Sequence, residues 1–368
     1  MNENASVVVF PSIFAKSRQS LLMQNIKKIL KLQNQHYSKI TKDEEIVVID
    51  ASDPVFASSA INLLFGISRV CIAKRVDGKY EDVVSAIAKV GANLLLKGEQ
   101  FHVKVEGCPT GYTPKDVEIA ATSVLVEKTA DSGCRPGTEE KHDKQIYCFL
   151  TKKNGYVAIF SDEGHSGVPY NSHDQKIVCC IYDELSAVAC IEAIKQGFDV
   201  HVLVCHNNTN LHDLVKMVNR IIPRIVSNTV TLEFYEIPRK EARTVQQKAE
   251  IAIGLSCICA HRLKMPVVGI GLSPLVYPAW FVDRLAYFVI KNKLTPRILL
   301  AGIDDGIIKT AKEIGLGKYL HRIGKLAGSK FQKDQEIKAV HLKQKTRQVV
   351  TIKAGPNNIH EILDALEH

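Results

Sequence analysis

KIVCCIYDELSAVACIEAIKQG, Lys176–Gly197, joins an apolar run to a helical one across the acidic turn Tyr182-Asp183-Glu184. KIVCCIY reads as a strand, and the stretch from Ser186 to Gln196 as a helix. Asp183 is a favoured helix-capping residue, and Glu184 suits the positive end of a helix. The same strand-then-helix unit repeats downstream. DVHVLVC, TVTLEFYEI, PVVGIG and RILLAG read as strands, with helices at about 186–196, 211–226, 240–263, 278–292 and 304–314. Strict alternation at these lengths predicts a doubly wound parallel sheet with helices on both faces. Such a domain binds ligands at the carboxyl ends of its strands, above all after the first.

Upstream the pattern changes. Residues 5–75 give the order β-α-β-β-α-β of a ferredoxin-like α+β unit, with Asp53 capping its second helix. Residues 79–165 give a second unit. It holds a helix at about 81–96, the strand FHVKV, the turn-rich GCPTGYTP and a helix from Lys115 with Asp116 and Glu118 in its first turn. It closes with the hairpin IYCFLTKKNGYVAIFS, turning at Lys153-Asn154-Gly155. GHSGVPYNSHD marks the boundary to the alternating half.

Length and composition fit this division. A chain of 368 residues with 46% hydrophobic and 24% charged residues is an ordinary multidomain globular protein. No apolar run reaches the roughly 18–20 residues of a membrane helix, and Met1–Ser6 lacks the layout of a signal peptide, so the expectation is no membrane and a cytoplasmic location. The ten cysteines form no CxxC pair and sit mostly in apolar stretches, where reduced thiols serve as small hydrophobes; no metal site is expected. The net charge of +9 suits a polyanionic partner. From Lys325 to Lys353, eight Lys/Arg face only Asp334 and Glu336, either as a solvated tail or as a phosphate-contacting arm.

At this point the order and the phrases resemble the tRNA 4-thiouridine synthetase (ThiI) family over about residues 6–322. FPSIFAKS with its basic amphipathic helix resembles the family's opening. FHVKVEGCPTGYTPKDVEIAATSVL resembles the strand-loop-helix of a THUMP domain. GVPYNSHDQKIVCC resembles the linker into a PP-loop ATP-pyrophosphatase domain, and AGIDDGIIKTAKEIGLGKYL its last strand and helix. The resemblance implies a ferredoxin-like domain at 1–75, a THUMP domain at 76–165, a PP-loop-like domain at 172–322 and a basic extension at 323–368. It also implies tRNA as the partner.

The departures fall on the chemistry. Where the family carries Ser-Gly-Gly-x-Asp-Ser, this chain has Ile181-Tyr182-Asp183-Glu184-Leu185-Ser186, and only Ser186 matches. The glycines let main-chain N–H groups close around phosphates at a helix start. Asp183 and Glu184 also bring negative charge to the place of a pyrophosphate, at about 4 kcal/mol for each like-charge pair at about 4 Å. The family's Thr-Gly-Glu-Ser-like stretch appears as Ile270-Gly271-Leu272-Ser273, with Gly271 and Ser273 matching and the acid lost. Beyond Cys259 no cysteine remains to carry sulfur, and His321 is no substitute.

The expectation is therefore a tRNA-binding protein with a degenerate nucleotide loop, non-catalytic and without a cofactor. The alternative is an active ATP-dependent tRNA sulfurtransferase or another adenylating tRNA modifier, with magnesium held by Asp183 or Glu184. The basic residues expected after FHVKV are replaced by Glu106-Gly107-Cys108-Pro109. Candidate RNA contacts are Lys104, Lys115, Arg135, Lys141, Lys144, Lys152 and Lys153, with Lys343, Lys345 and Arg347 along a C-terminal strand. Tyr112 either stacks on a base or packs in its turn. A separate tRNA-modifying enzyme and a second copy of the chain are further candidate partners.

Overall fold

The strand read first, β9 (Lys176–Ile181), is buried from Ile177 onward. That is what an all-apolar run needs when both faces of its sheet are covered. The structure, a computed structural model, describes residues 5–207, 209–238, 242–300, 302–333, 347–355 and 357–367. They form two compact units, one of residues 1–62 and 66–166, the other of 63–65 and 167–368.

The first unit is built on one eight-stranded sheet. Its elements are β1 (Ala5–Pro11), α1 (Gln19–Leu32), β2 (Tyr37–Asp43), β3 (Ile46–Ala51), α2 (Pro54–Ile61), β4 (Ile67–Asp77), α3 (Tyr80–Leu94), β5 (Gln100–Gly107), α4 (Pro114–Lys128), β6 (Arg135–Pro136), β7 (Lys144–Leu150) and β8 (Asn154–Ser166). The strand order is β2-β3-β1-β4-β8-β7-β5-β6. The ferredoxin-like run and the segment after it share this sheet, because β8 pairs antiparallel with the whole of β4. Asp53 caps α2, accepting from the N–H groups of Val55 and Phe56. Thr113 and Asp116 close a capping box on α4. The β7–β8 turn falls on Lys152 and Lys153, one residue earlier than the sequence suggests, with Thr151 N donating to Asn154 O at 2.9 Å.

The second unit alternates as expected. After β9 come α5 (Glu184–Lys195), β10 (Asp199–His206), α6 (Leu211–Ile221), β11 (Thr229–Glu236), α7 (Val245–Leu263), β12 (Val267–Ile270), α8 (Ala279–Lys291), β13 (Thr295–Ile298) and α9 (Asp305–Glu313). Pro223, which has no N–H to donate, ends the α6 region in a 3-10 turn, short of the expected residue 226. The last expected strand begins two residues early and leaves Leu299 and Leu300 buried beyond its end. The strand expected near the C-terminal end is β14 (Arg347–Lys353), and two helices were not anticipated as such: α10 (Tyr319–Ala327) and α11 (Ile359–Glu367). The sheet order is β13-β12-β9-β10-β11-β14, parallel except for β14, which runs antiparallel to β11. β9 lies between β10 and β12, so the strand order reverses there and the crevice of a doubly wound sheet opens beside its carboxyl end. Among the described residues no helix is long and apolar enough to cross a membrane.

Candidate nucleic-acid interface and the switch-point crevice

The loop after β9 closes on itself. Ser186 Oγ accepts from the main-chain N–H groups of Tyr182 and Asp183, both at 3.0 Å. The Ser186 N–H donates to Asp183 Oδ1 at 2.8 Å, completing a capping box on α5. A phosphate cradle needs such N–H groups pointing into open space, and these three are already satisfied. Gly271 packs onto the same loop: a Cβ there would lie 2.9 Å from Ser186 Cα. Leu272 and Ser273 are wholly buried.

Aromatic side chains fill the crevice. Tyr182, Tyr277 and Tyr319 are all buried, and none of their hydroxyls closes a well-formed hydrogen bond with a described residue. Burial first, and then the Asp183 charge nearby, push the Tyr277 and Tyr319 hydroxyls well above their ordinary pKa. Burial also pushes Asp183 up to about 6, against the pull of its hydrogen bonds from Ser186. Glu184 is ion-paired with Arg322, so α10 is fastened over the start of α5. The two acids are thus committed to a helix cap and an ion pair.

A group with metal-ligand chemistry lies elsewhere in the same unit. His201 Nε2, a Glu233 oxygen and Cys259 Sγ lie within 4.8 Å of one another. Arg262 Nη2 stands 2.5 Å from both Glu233 oxygens, and Arg347 Nε 2.9 Å from one. Burial of Glu233 opposes its charge, but hydrogen bonds from His201, Arg262 and Arg347 hold its pKa well below the carboxylate range. Two guanidinium groups on one carboxylate repel a cation and occupy its lone pairs, so this is an ionic clasp. Arg347, expected on a phosphate-facing stripe, instead faces Glu233; Lys343 and Lys345 lie outside the described residues. All ten cysteines are free thiols, and only Cys108 is exposed.

The candidates in the first unit divide into three groups. Lys104 is paired with Glu139 at 3.0 Å and Glu106 at 3.5 Å, and Lys115 with Glu118 at 2.8 Å. Arg135 and Lys141 are exposed, and Lys144 is half-buried at the head of β7. Lys152, Lys153 and Tyr112 come together, with Lys79 and Tyr80, around one groove of about 570 Å³. The Tyr112 hydroxyl donates to Gly78 O at 2.6 Å, and its ring meets Tyr80 edge-on at 5.4 Å, so it serves chiefly as the packed floor of that groove. A second basic cleft of about 490 Å³ escaped the sequence reading: Lys27, Lys28 and Lys31 at the end of α1, with His36. Its signal was the lysine spacing on the solvent face of that amphipathic helix.

No family model matches the chain. Over 200 residues, 54% of its length, it is 22% identical to a probable tRNA sulfurtransferase of Methanosarcina acetivorans. A probable tRNA sulfurtransferase of Methanosarcina mazei is 20% identical over the same length. These matches cover 48% and 49% of the two relatives, so the chain spans about half the length of the curated proteins it matches. A 4-thiouridine synthetase, solved as an RNA complex with bound ATP, superposes with a TM-score of 0.65, covering 95% of this chain and 100% of that one at 12% identity.

The fold is similar to that of 4-thiouridine synthetase.

A protein of Pyrococcus horikoshii Ot3 superposes equally well, with a TM-score of 0.64 at 15% identity over 85% of this chain. Likeness to the synthetase at these identities establishes the α/β architecture. The chemistry has to be argued from this chain's own residues.

Proposed function

We propose that the chain binds tRNA through residues 5–166 and acts in tRNA modification as a non-catalytic factor that does not use ATP. The observation that carries the second half is the closed loop after β9, where Ser186 Oγ takes the Tyr182 and Asp183 N–H groups and three tyrosines fill the crevice. Opening it for a nucleotide breaks a helix cap and moves buried aromatic side chains. The first half is supported by the likeness to a synthetase solved with RNA, by the name of the curated relatives and by two lysine-lined clefts in the first unit. Catalysis then belongs to a separate tRNA-modifying enzyme to which this chain presents its RNA.

Calorimetric titration with ATP and magnesium tests the proposal, alongside tRNA binding at several salt concentrations. The expected result is no measurable ATP binding and salt-dependent tRNA binding. An ATP dissociation constant at or below about 100 μM, roughly −5.5 kcal/mol, would favour the alternative of an active ATP-dependent tRNA sulfurtransferase.

A further inference from the structure

The turn that carries Lys152 and Lys153 is gripped from both sides. On one side Gly78 N donates to Lys153 O at 2.8 Å, and a Cβ on Gly78 would lie 2.8 Å from the Lys153 carbonyl carbon. On the other side stands the tip of the β2–β3 hairpin, 108 to 113 residues away in the chain. Asp43 Oδ2 accepts from Thr151 Oγ1 at 3.1 Å, Asn154 Nδ2 at 2.9 Å and the Tyr156 hydroxyl at 2.6 Å. Glu44 Oε1 accepts from the Lys152 main-chain N–H at 3.1 Å. The tip holds this contact against a conformational cost. Glu44 has a φ of 54°, in the left-handed region that favours glycine. The third acid of the tip, Glu45, is paired with Lys16 at 3.0 Å. Asp43 and Glu44 bond neutral groups of the turn, and among the described residues neither Lys152 nor Lys153 takes part in an ion pair. A surface that meets a polyanion ordinarily gains by shedding acids. Here two acids stand beside its lysines because of what they hold.

We propose that Asp43 and Glu44 are positioning residues for RNA, fixing the β7–β8 turn so that Lys152 and Lys153 stand at the groove with Lys79 before RNA arrives. This rests on the reading of that groove as an RNA contact. Ordering of the turn is then met in folding, and binding does not have to supply it.

The test is tRNA binding by the full chain over a range of salt concentrations, with a urea melt of each variant. Charge alone and positioning predict opposite signs. Removing an acid beside bound phosphates strengthens binding if only its charge matters. Asp43→Ala is expected instead to weaken binding about fivefold at about 0.1 M salt and to lower the salt slope by about 0.7–0.9, the loss of one phosphate contact. Asp43→Asn loses the same charge but keeps an acceptor oxygen, and is expected to recover part of that affinity. Glu44→Gly separates positioning from stability, and it decides the matter even if Asp43→Ala does not fold. It relieves the left-handed φ, so the urea midpoint is expected to hold or rise. It also frees the Lys152 N–H, so affinity and slope are expected to fall as in Asp43→Ala. Added to Lys152→Gln with Lys153→Gln, neither variant is expected to weaken binding further, because the acids act through the lysines. A wild type without salt-dependent tRNA binding, or a slope unmoved by the two lysine changes, overturns the RNA reading of the turn and this proposal with it. A slope that falls with the lysine changes but not with Glu44→Gly overturns this proposal alone, as does a loss that adds to theirs.

Discussion

Ser186 fixes the chemistry of the crevice. Its hydroxyl oxygen accepts two main-chain N–H groups while its own N–H is held by Asp183, so the loop after β9 closes into a helix cap. The acid that completes the cap is strained electrostatically. Its folded pKa of about 6 lies above the ordinary 3.8, so its negative charge costs stability. The sign follows: the cost is absent below about pH 3.8, grows as pH rises towards 6, and is fully present above it. Asparagine keeps the capping oxygen without the charge. Asp183→Asn is therefore expected to stabilise the protein by about 1–3 kcal/mol at pH 7.5 and by almost nothing at pH 4, as read from urea melts at the two values. An equal effect at both would show that desolvation of the charge is not what matters there. The cap itself was legible in the sequence, because an Asp three residues before a Ser at a helix start is a local pattern. The tyrosines around it were not, since Tyr182, Tyr277 and Tyr319 meet only when the loop after β12 and helix α10 are folded over β9.

Among the elements, β14 joins its sheet through a ladder with β11 and an ionic contact at its first residue. It is an edge strand, paired antiparallel with β11, and Arg347 at its start lies on the Glu233 carboxylate between His201 and Arg262. Glu233→Gln leaves two guanidinium groups without their carboxylate. A fully buried pair costs about 3–5 kcal/mol to break; both arginines here keep about a third of their surface in water, so a loss of about 2–4 kcal/mol is expected in thermal or urea unfolding. Because the Glu233 pKa is depressed in the fold, the clasp contributes fully above the ordinary value of 4.5 and fades as pH falls below it. The variant should therefore lose its disadvantage in acid. Arg347→Ala is expected to cost less, because Arg262 still faces the carboxylate. Sequence alternation alone suggested a strand here and a cationic stripe on it. Which partner Arg347 meets was beyond that reading, because Glu233 lies more than a hundred residues away in the chain.

At the scale of the whole molecule, the net charge of +9 is spread over many lysines, and neighbouring acids decide which of them can meet a polyanion. Lys104 and Lys115 are neutralised locally, whereas Lys152 and Lys153 are exposed on a turn beside a groove with Lys79. Lys152→Gln with Lys153→Gln is expected to weaken tRNA binding and to reduce the salt slope by about 1.4–1.8, from roughly 0.7–0.9 per phosphate contact. Different tRNAs should be affected alike, because phosphates carry little sequence information. An unchanged slope would remove this turn from the RNA surface. The α/β class, the ferredoxin-like order and the alternating parallel half were written in the chain itself, because strand and helix periods are local and each apolar face must find a covering layer. That Tyr182 and Asp183, not glycines, follow the first strand of that half was equally plain. Only the tertiary structure decided that one sheet runs through the whole first unit, that three tyrosines close the crevice, that Arg347 turns to Glu233 and that Lys152 and Lys153 meet Lys79 and Tyr112 around one groove. These are pairings between distant segments, and no local period encodes which side chains long-range strand pairing brings into contact.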